Sequence, residues 1–141
     1  MEIIEATNYR EDIVALLSAE KLPVSDLPES LKNFLAVVES DELIGVIGLE
    51  TYGHYGLLRS LAVHPNSRNQ NIAGKLVAQL EKLAVSEGLK SIFLLTETAQ
   101  DYFSRKGYQA ISRAEMPSEV QQSSEFSHVC PQSAIAMKKD L

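Results

Sequence analysis

Apolar positions alternate with polar ones in a pattern that changes period several times along the chain. Ile3 and Ile4 read as a short first strand. Asn8 followed by Glu11 has capping-box spacing, and Ile13, Leu16 and Leu17 then recur at the helical period, so a helix is expected there. Residues 21–33 carry Pro23, Asp26 and Pro28 and read as a loop with room for one helical turn. Two apolar runs, 34–38 and 43–49, flank Glu39-Ser40-Asp41-Glu42, which predicts a β-hairpin with a polar turn. Gly45 and Gly48 inside its second strand imply a bulge or the close approach of another backbone. A fourth strand over 57–63 stops at His64-Pro65, because proline cannot continue a ladder. Ile72, Leu76, Leu80, Leu83 and Ala84 predict a long helix over 72–87 that Gly88 ends. Residues 92–95 predict a buried strand, 99–106 a short helix stopped by Gly107, 108–111 another strand, and 134–137 the last.

The expected order is therefore β-α-(α)-β-β-β-α-β-α-β-β. Its strand–helix–strand unit implies parallel pairing in the second half, after an antiparallel first half. The fold class expected is α/β (α+β, three-layer): one domain over residues 1–141, with a mixed sheet and helices on both faces.

Composition narrows the function. The chain has 141 residues and a net charge of −6, from 19 acids and 13 bases. That balance speaks against general nucleic-acid binding, which needs a basic face, but leaves room for a local basic pocket. Cys130 is the single cysteine, so neither an internal disulfide nor a cysteine-rich metal site is expected, and no metal is. With no leader and no apolar run of about 18 residues, the expectation is a cytoplasmic protein that does not bind membranes.

The stretch Leu61-Ala62-Val63-His64-Pro65-Asn66-Ser67-Arg68-Asn69-Gln70-Asn71-Ile72-Ala73-Gly74-Lys75 carries the chemistry. It is an apolar strand, a turn, then small and polar residues opening a long helix. The first N–H groups of a helix lack intrahelical partners and sit at the positive end of its dipole, so an anion such as a diphosphate is well accommodated there. Arg68 and Lys75 add charge, and Ala73 and Gly74 leave space. The alternative is a capped helix with incidental basic residues. Neither the Walker glycines nor a G-x-G-x-x-G run is present.

This stretch resembles the coenzyme A motif of the GNAT superfamily of N-acetyltransferases, Arg/Gln-x-x-Gly-x-Gly/Ala, with Arg68, Asn71 and Ala73 at its defined positions. Asn71 stands where glycine is usual; asparagine tolerates left-handed backbone better than most residues, so the loop could keep its shape. The segment Thr96-x-Thr98-Ala99-x-x-Tyr102-Phe103-x-x-x-Gly107-Tyr108 is similar to the family's closing helix and strand. That segment, with Cys130-Pro131-Gln132-Ser133-Ala134, looks most like the small acetyltransferases associated with arsenic resistance, and Thr-x-Thr-Ala also resembles amino-acid acetyltransferases of the N-acetylglutamate synthase type.

The resemblance implies a mostly antiparallel sheet splayed between strands four and five, with acetyl-CoA as cosubstrate in the gap. Leu61, Ala62 and Val63 would pair with the pantetheine through their main chain, and Arg68, Asn69, Gln70, Asn71, Ile72, Ala73, Gly74 and Lys75 would hold the diphosphate. A neutral amine would attack the thioester directly, with a main-chain N–H of Ala62 or Val63 stabilising the oxyanion. The family's usual tyrosine position is Phe103 here, which would pack against the cofactor. Tyr102 is the neighbouring candidate acid, although it points about 100° away on a helix. The fourth strand lacks the usual glutamate, which leaves Glu50, Glu97 and His54 as candidate bases; His54, with an ordinary pKa of about 6.5, is otherwise a solvated loop residue. Arg59 would either clamp an acceptor carboxylate beside Ser60 or pair with a surface acid. Thr96 and Thr98 would bind substrate or cofactor, unless Thr98 caps the next helix. Cys130 is expected to be structural, and His128 to face water.

The function implied is acetylation of a small primary amine, an amino acid or amino-acid-like toxicant. The competing readings are a protein N-acetyltransferase and a non-catalytic acetyl-CoA-binding module. An exposed sheet edge near the C-terminus would suit a homodimer.

Overall fold

A computed structural model gives the structure of the chain and describes residues 2–123 and 133–141. The elements are β1 (Glu2–Glu5), α1 (Arg10–Ala19), β2 (Phe34–Glu39), β3 (Glu42–Tyr52), β4 (Tyr55–Val63), α2 (Ile72–Ser86), β5 (Ser91–Thr96), α3 (Gln100–Arg105), β6 (Gln109–Ile111), α4 (Ser118–Gln121) and β7 (Ile135–Asp140). The strands form one mixed sheet in the order β1-β2-β3-β4-β5-β7-β6. The chain divides into two compact units, residues 1–49 with 59–83 and residues 50–58 with 84–141.

In the first unit β1, β2 and β3 pair antiparallel. The β2–β3 turn places Ser40 at φ 53° and Asp41 at φ 64°, between the paired residues Glu39 and Glu42. Two left-handed residues in a two-residue connection match the twist of the flanking strands. The register slips between Val37 and Val38, so Ile44 is the extra residue of a bulge, and its carbonyl accepts the His64 N–H at 2.8 Å. Gly45 follows this bulge, as expected, and also marks a close approach: a Cβ there would lie 3.1 Å from Ile72 Cγ2, 3.3 Å from Leu76 Cδ1 of α2 and 3.6 Å from the Ala62 carbonyl oxygen. Gly48 is tighter still, since its Cβ would meet the Phe34 ring at 2.5 Å. Val46, next to Gly45 on β3, packs instead with Ile13, Leu16 and Leu17 of α1. Neighbouring strand residues point to opposite faces, so α1 and α2 cover opposite faces of β3.

The capping box expected at Asn8 and Glu11 does not form; Tyr9 holds the N-cap position without a side-chain hydrogen bond. The helical turn allowed for within 21–33 is likewise absent, and that segment runs as turns.

In the second unit β4 pairs parallel with β5 over Tyr55↔Ser91, Gly56↔Ile92 and Leu57↔Phe93. β5 then pairs antiparallel with β7 along its whole length, and β7 with β6. Leu57, Phe93, Ala136, Met116 and Val120 form a core cluster on which α4 rests. Ser91 donates to Asp140 at 2.7 Å, and this bond is the first cause holding the Asp140 carboxyl below its ordinary pKa, followed by Lys138.

Candidate active site

The first unit supplies the strand–loop–helix. From Arg59 onward β4 continues to Val63, and within it Ser60 takes φ 60°. A left-handed, non-glycine residue inside a strand interrupts the regular pleat and turns the next peptide planes out of the ladder direction. After β4, Pro65–Ser67 make a 3-10 turn whose N-terminus is capped by His64, its Nδ1 accepting the Asn66 N–H at 3.1 Å. Asn69 and Asn71 then adopt φ 68° and φ 58°. The loop therefore has its left-handed corner at Asn71, where the family pattern places glycine, and a second one two residues earlier. Lys75 N–H makes a helical bond back to the Asn71 carbonyl at 3.1 Å, so the N–H groups of Ile72, Ala73 and Gly74 form the open end of α2. Arg68, Asn69, Gln70, Asn71 and Lys75 are exposed around it, Ala73 and Gly74 half-buried, and Ile72 is anchored in the core. Arg68 is engaged by Glu20 in an ion pair, with its side chain half exposed.

Arg59, expected to hold a carboxylate of the acceptor, holds one belonging to the chain itself. Its two terminal nitrogens donate to the two oxygens of Asp26 at 2.7 Å each, and Nε donates to Ser60 Oγ at 3.0 Å. The Arg59 side chain is 0% exposed and that of Asp26 7%. Neither alternative foreseen for Arg59, substrate clamp or surface pair, describes this arrangement. Leu61 and Val63 are half-buried and Ala62 buried.

A groove of about 630 Å³ in this unit is lined by Asp12, Glu20, Asp41 and Glu42 among others, with His64 and Pro65. Its charge is of the wrong sign for a diphosphate.

The second unit holds the candidate acids and bases. Tyr102, on α3, packs edge-to-face on Phe103 at 5.3 Å with Lys106 over its ring. Its ring is partly buried, but its hydroxyl oxygen is out of contact with water and has no hydrogen-bond partner among the described residues. Burial raises its pKa above the ordinary 10.0, against a smaller lowering by Arg105, so the group is a proton donor at neutral pH. Phe103 is buried between Tyr102 and Tyr108, 5.5 Å from the latter ring; its contacts are those of a core residue. Glu50, half-buried on β3, accepts from the Tyr52 hydroxyl at 2.6 Å. Neither threonine caps α3, whose N-cap Ala99 has no side-chain cap hydrogen bond; Thr96 Oγ1 accepts the Ala99 N–H at 3.0 Å just ahead of the helix, and Thr98 and Glu97 are exposed.

His54 is not brought to this group. It lies in the β3–β4 turn, where its carbonyl accepts the Lys90 N–H just before β5, whereas Thr96 ends β5 and Glu97 and Tyr102 follow it. At about 3.3 Å per strand residue, the two ends are on the order of 20 Å apart. Cys130 and His128 lie outside the described residues. Among the described residues no group of three or more histidine, cysteine or acidic side chains could hold a metal ion, and no helix is long and apolar enough to cross a membrane.

Sequence reasoning missed the Arg59–Asp26 pair and the left-handed Ser60. The one signal available was the isolated charge of Arg59 in an apolar strand, which calls for a partner without naming it.

Residues 5–110 match the acetyltransferase (GNAT) family. The chain belongs to that family. It is 29% identical over 101 residues to an uncharacterized N-acetyltransferase of Chlorobaculum tepidum, covering 71% of this chain and 64% of that one. It is 36% identical over 62 residues to an amino-acid acetyltransferase of Ectopseudomonas mendocina, covering 44% of this chain and 14% of the relative. The chain thus spans less than two thirds of the length of either relative. In structure it superposes on N-acetylglutamate synthase from Neisseria gonorrhoeae, solved with coenzyme A and N-acetyl-glutamate, with a TM-score of 0.84 at 20% identity over 99% of this chain and 35% of that one. This likeness establishes the mixed-sheet GNAT fold.

Proposed function

We propose that this chain transfers an acetyl group from acetyl-CoA to the primary amine of a small molecule, an amino acid or a close analogue of one. The observation that carries the reading is the loop 68–75: left-handed Asn69 and Asn71, exposed Arg68 and Lys75, and an open helix end assembled next to one another. Membership of the acetyltransferase family and the amino-acid acetyltransferases among its relatives support it.

The residues fit coenzyme A. The N–H groups of Ile72, Ala73 and Gly74 and the Arg68 and Lys75 side chains would hold the diphosphate, while Leu61 to Val63 would offer main-chain groups to the pantetheine. Acetyl-CoA supplies an acyl carbon already activated as a thioester, so no covalent enzyme intermediate is required. The main-chain N–H of Ala62 or Val63 stabilises developing negative charge on the carbonyl oxygen. Tyr102 is the candidate donor of a proton to the departing sulfur, being protonated at neutral pH with a hydroxyl that has no hydrogen-bond partner among the described residues. Glu50 and Glu97 are the carboxylates that remain for accepting the amine proton. Ser60 and Thr96, already bonded within the chain, act by holding the backbone around the reaction.

The test is thiol release from acetyl-CoA with a panel of amino acids, polyamines and arsenic-containing amino acids, the last because of the arsenic-resistance resemblance. Turnover with at least one free amino acid or analogue is expected. Coenzyme A binding without turnover across the panel would instead favour a binding module.

A further inference from the structure

The guanidinium of Arg59 is completely withdrawn from solvent and grips both oxygens of Asp26 in a bidentate pair, with the Asp26 main-chain carbonyl a further acceptor at 3.4 Å. Asp26 belongs to the turns between α1 and β2, 33 residues earlier. Its Nε donates to the hydroxyl of Ser60, the residue held at φ 60° in the middle of β4. A serine in that conformation is strained, and strain persists only where the surroundings over-determine it. Here the surroundings are visible. Asp26 fixes Arg59, Arg59 fixes the Ser60 side chain, and the fixed side chain holds the backbone step from which Leu61, Ala62 and Val63 continue.

We propose that Asp26 is a positioning residue for acetyl transfer: through Arg59 it locks the left-handed step at Ser60 and so aims the main-chain N–H groups of Ala62 and Val63. The inference rests on the function proposed above, in which those N–H groups face the thioester carbonyl. Asp26 touches neither substrate nor the reacting atoms; it acts at second hand, through one ion pair and one hydrogen bond.

Two variants and their combination test it. Asp26→Asn keeps the shape and removes the charge. Ser60→Gly removes the strain, because glycine adopts the left-handed conformation without support. In Asp26→Asn, kcat is expected to fall at least tenfold, since misplacement by about 1 Å can cost about a hundredfold, with a smaller rise in the KM for acetyl-CoA, whose pantetheine would meet the same stretch of β4. Adding Ser60→Gly to Asp26→Asn is expected to recover much of the lost kcat. Amide hydrogen exchange supplies a readout independent of turnover: Asp26→Asn speeds exchange at Leu61, Ala62 and Val63 relative to β2 and β3, and the double variant restores protection. Unchanged kcat with unchanged exchange in Asp26→Asn overturns the proposal. A loss of kcat that Ser60→Gly fails to repair, with exchange raised throughout the unit, overturns it too, because the pair would then be holding the fold as a whole. If the parent turns over no amine, the function proposed above fails, and the exchange experiment still decides whether Asp26 sets the step.

Discussion

At the scale of single residues, Tyr102 carries an unusual combination. Its hydroxyl is removed from water and left without a bond among the described residues, an arrangement that costs roughly 1–3 kcal/mol. Stability and catalysis should therefore respond to its loss in opposite directions. Tyr102→Phe is expected to leave the unfolding free energy unchanged or raise it by about 1 kcal/mol, and to lower kcat by a factor of about 10² or more if the phenol is the acid that protonates the sulfur. Chemical denaturation and steady-state kinetics on one preparation check both. The raised pKa fixes the pH behaviour. A tyrosine whose pKa is higher folded than unfolded contributes undiminished stability below the ordinary value of 10.0, and loses it as pH rises through the folded value. An alkaline limb in kcat should accordingly lie above pH 10.0 in the parent and vanish in Tyr102→Phe. Asn71 shows how far one residue can be read in advance: its type allowed a left-handed corner, and φ 58° is what the loop has. Ser60 shows the opposite, because serine gives no local sign of the same conformation. Its hydroxyl accepts from an arginine that is held in turn by an aspartate far away in the chain.

At the scale of elements, period and punctuation placed most strands and helices within about two residues of their observed ends, which is where hydrogen-bond assignments themselves scatter, while β3 and β7 run on past the expected 49 and 137 to Tyr52 and Asp140. The long helix was expected over 72–87 and runs Ile72–Ser86; the hairpin turn fell on Ser40 and Asp41 as its polar run required. What escaped is short or long-range. The 3-10 turn Arg113–Glu115 and the four-residue α4 offer no full period of apolar residues to read, and Arg59 meets an acid 33 positions away that no local pattern selects. The glycines of β3 were marked as close approaches without their partners, and those partners grade them. Gly48→Ala drives a Cβ to 2.5 Å from the Phe34 ring and should cost about 1–3 kcal/mol, a fall of several degrees in midpoint. Gly45→Ala meets two methyl groups at 3.1 and 3.3 Å, which can shift by tenths of an ångström, and the Ala62 carbonyl oxygen only at the ordinary contact distance of 3.6 Å, and should cost less. Thermal melts of the two variants side by side test the order; equal losses would mean that the aromatic ring yields as readily as the aliphatic side chains.

At the scale of the whole molecule, a chain of net charge −6 proposed to take the polyanionic acetyl-CoA must gather cations locally. Arg68 illustrates the tension, since Glu20 already claims it. An exposed pair of this kind is worth about 0.2–1 kcal/mol, so removing the competitor has a bounded effect. Glu20→Gln is expected to tighten coenzyme A binding by up to about fivefold, with the gain shrinking as ionic strength rises. Calorimetric titration at two salt concentrations measures it, and unchanged affinity at low salt would separate Arg68 from the diphosphate. The loop that Arg68 opens has a bearing on how relatives of this chain are sought. A search keyed to glycine at the corner discards sequences that reach the same backbone angle with asparagine, although asparagine leaves the unfolded chain less freedom and so delivers the corner at a lower entropic cost. The character shared across such chains is a dihedral angle, and an alignment scored on which residues tolerate that angle would gather members that letter-by-letter matching leaves scattered.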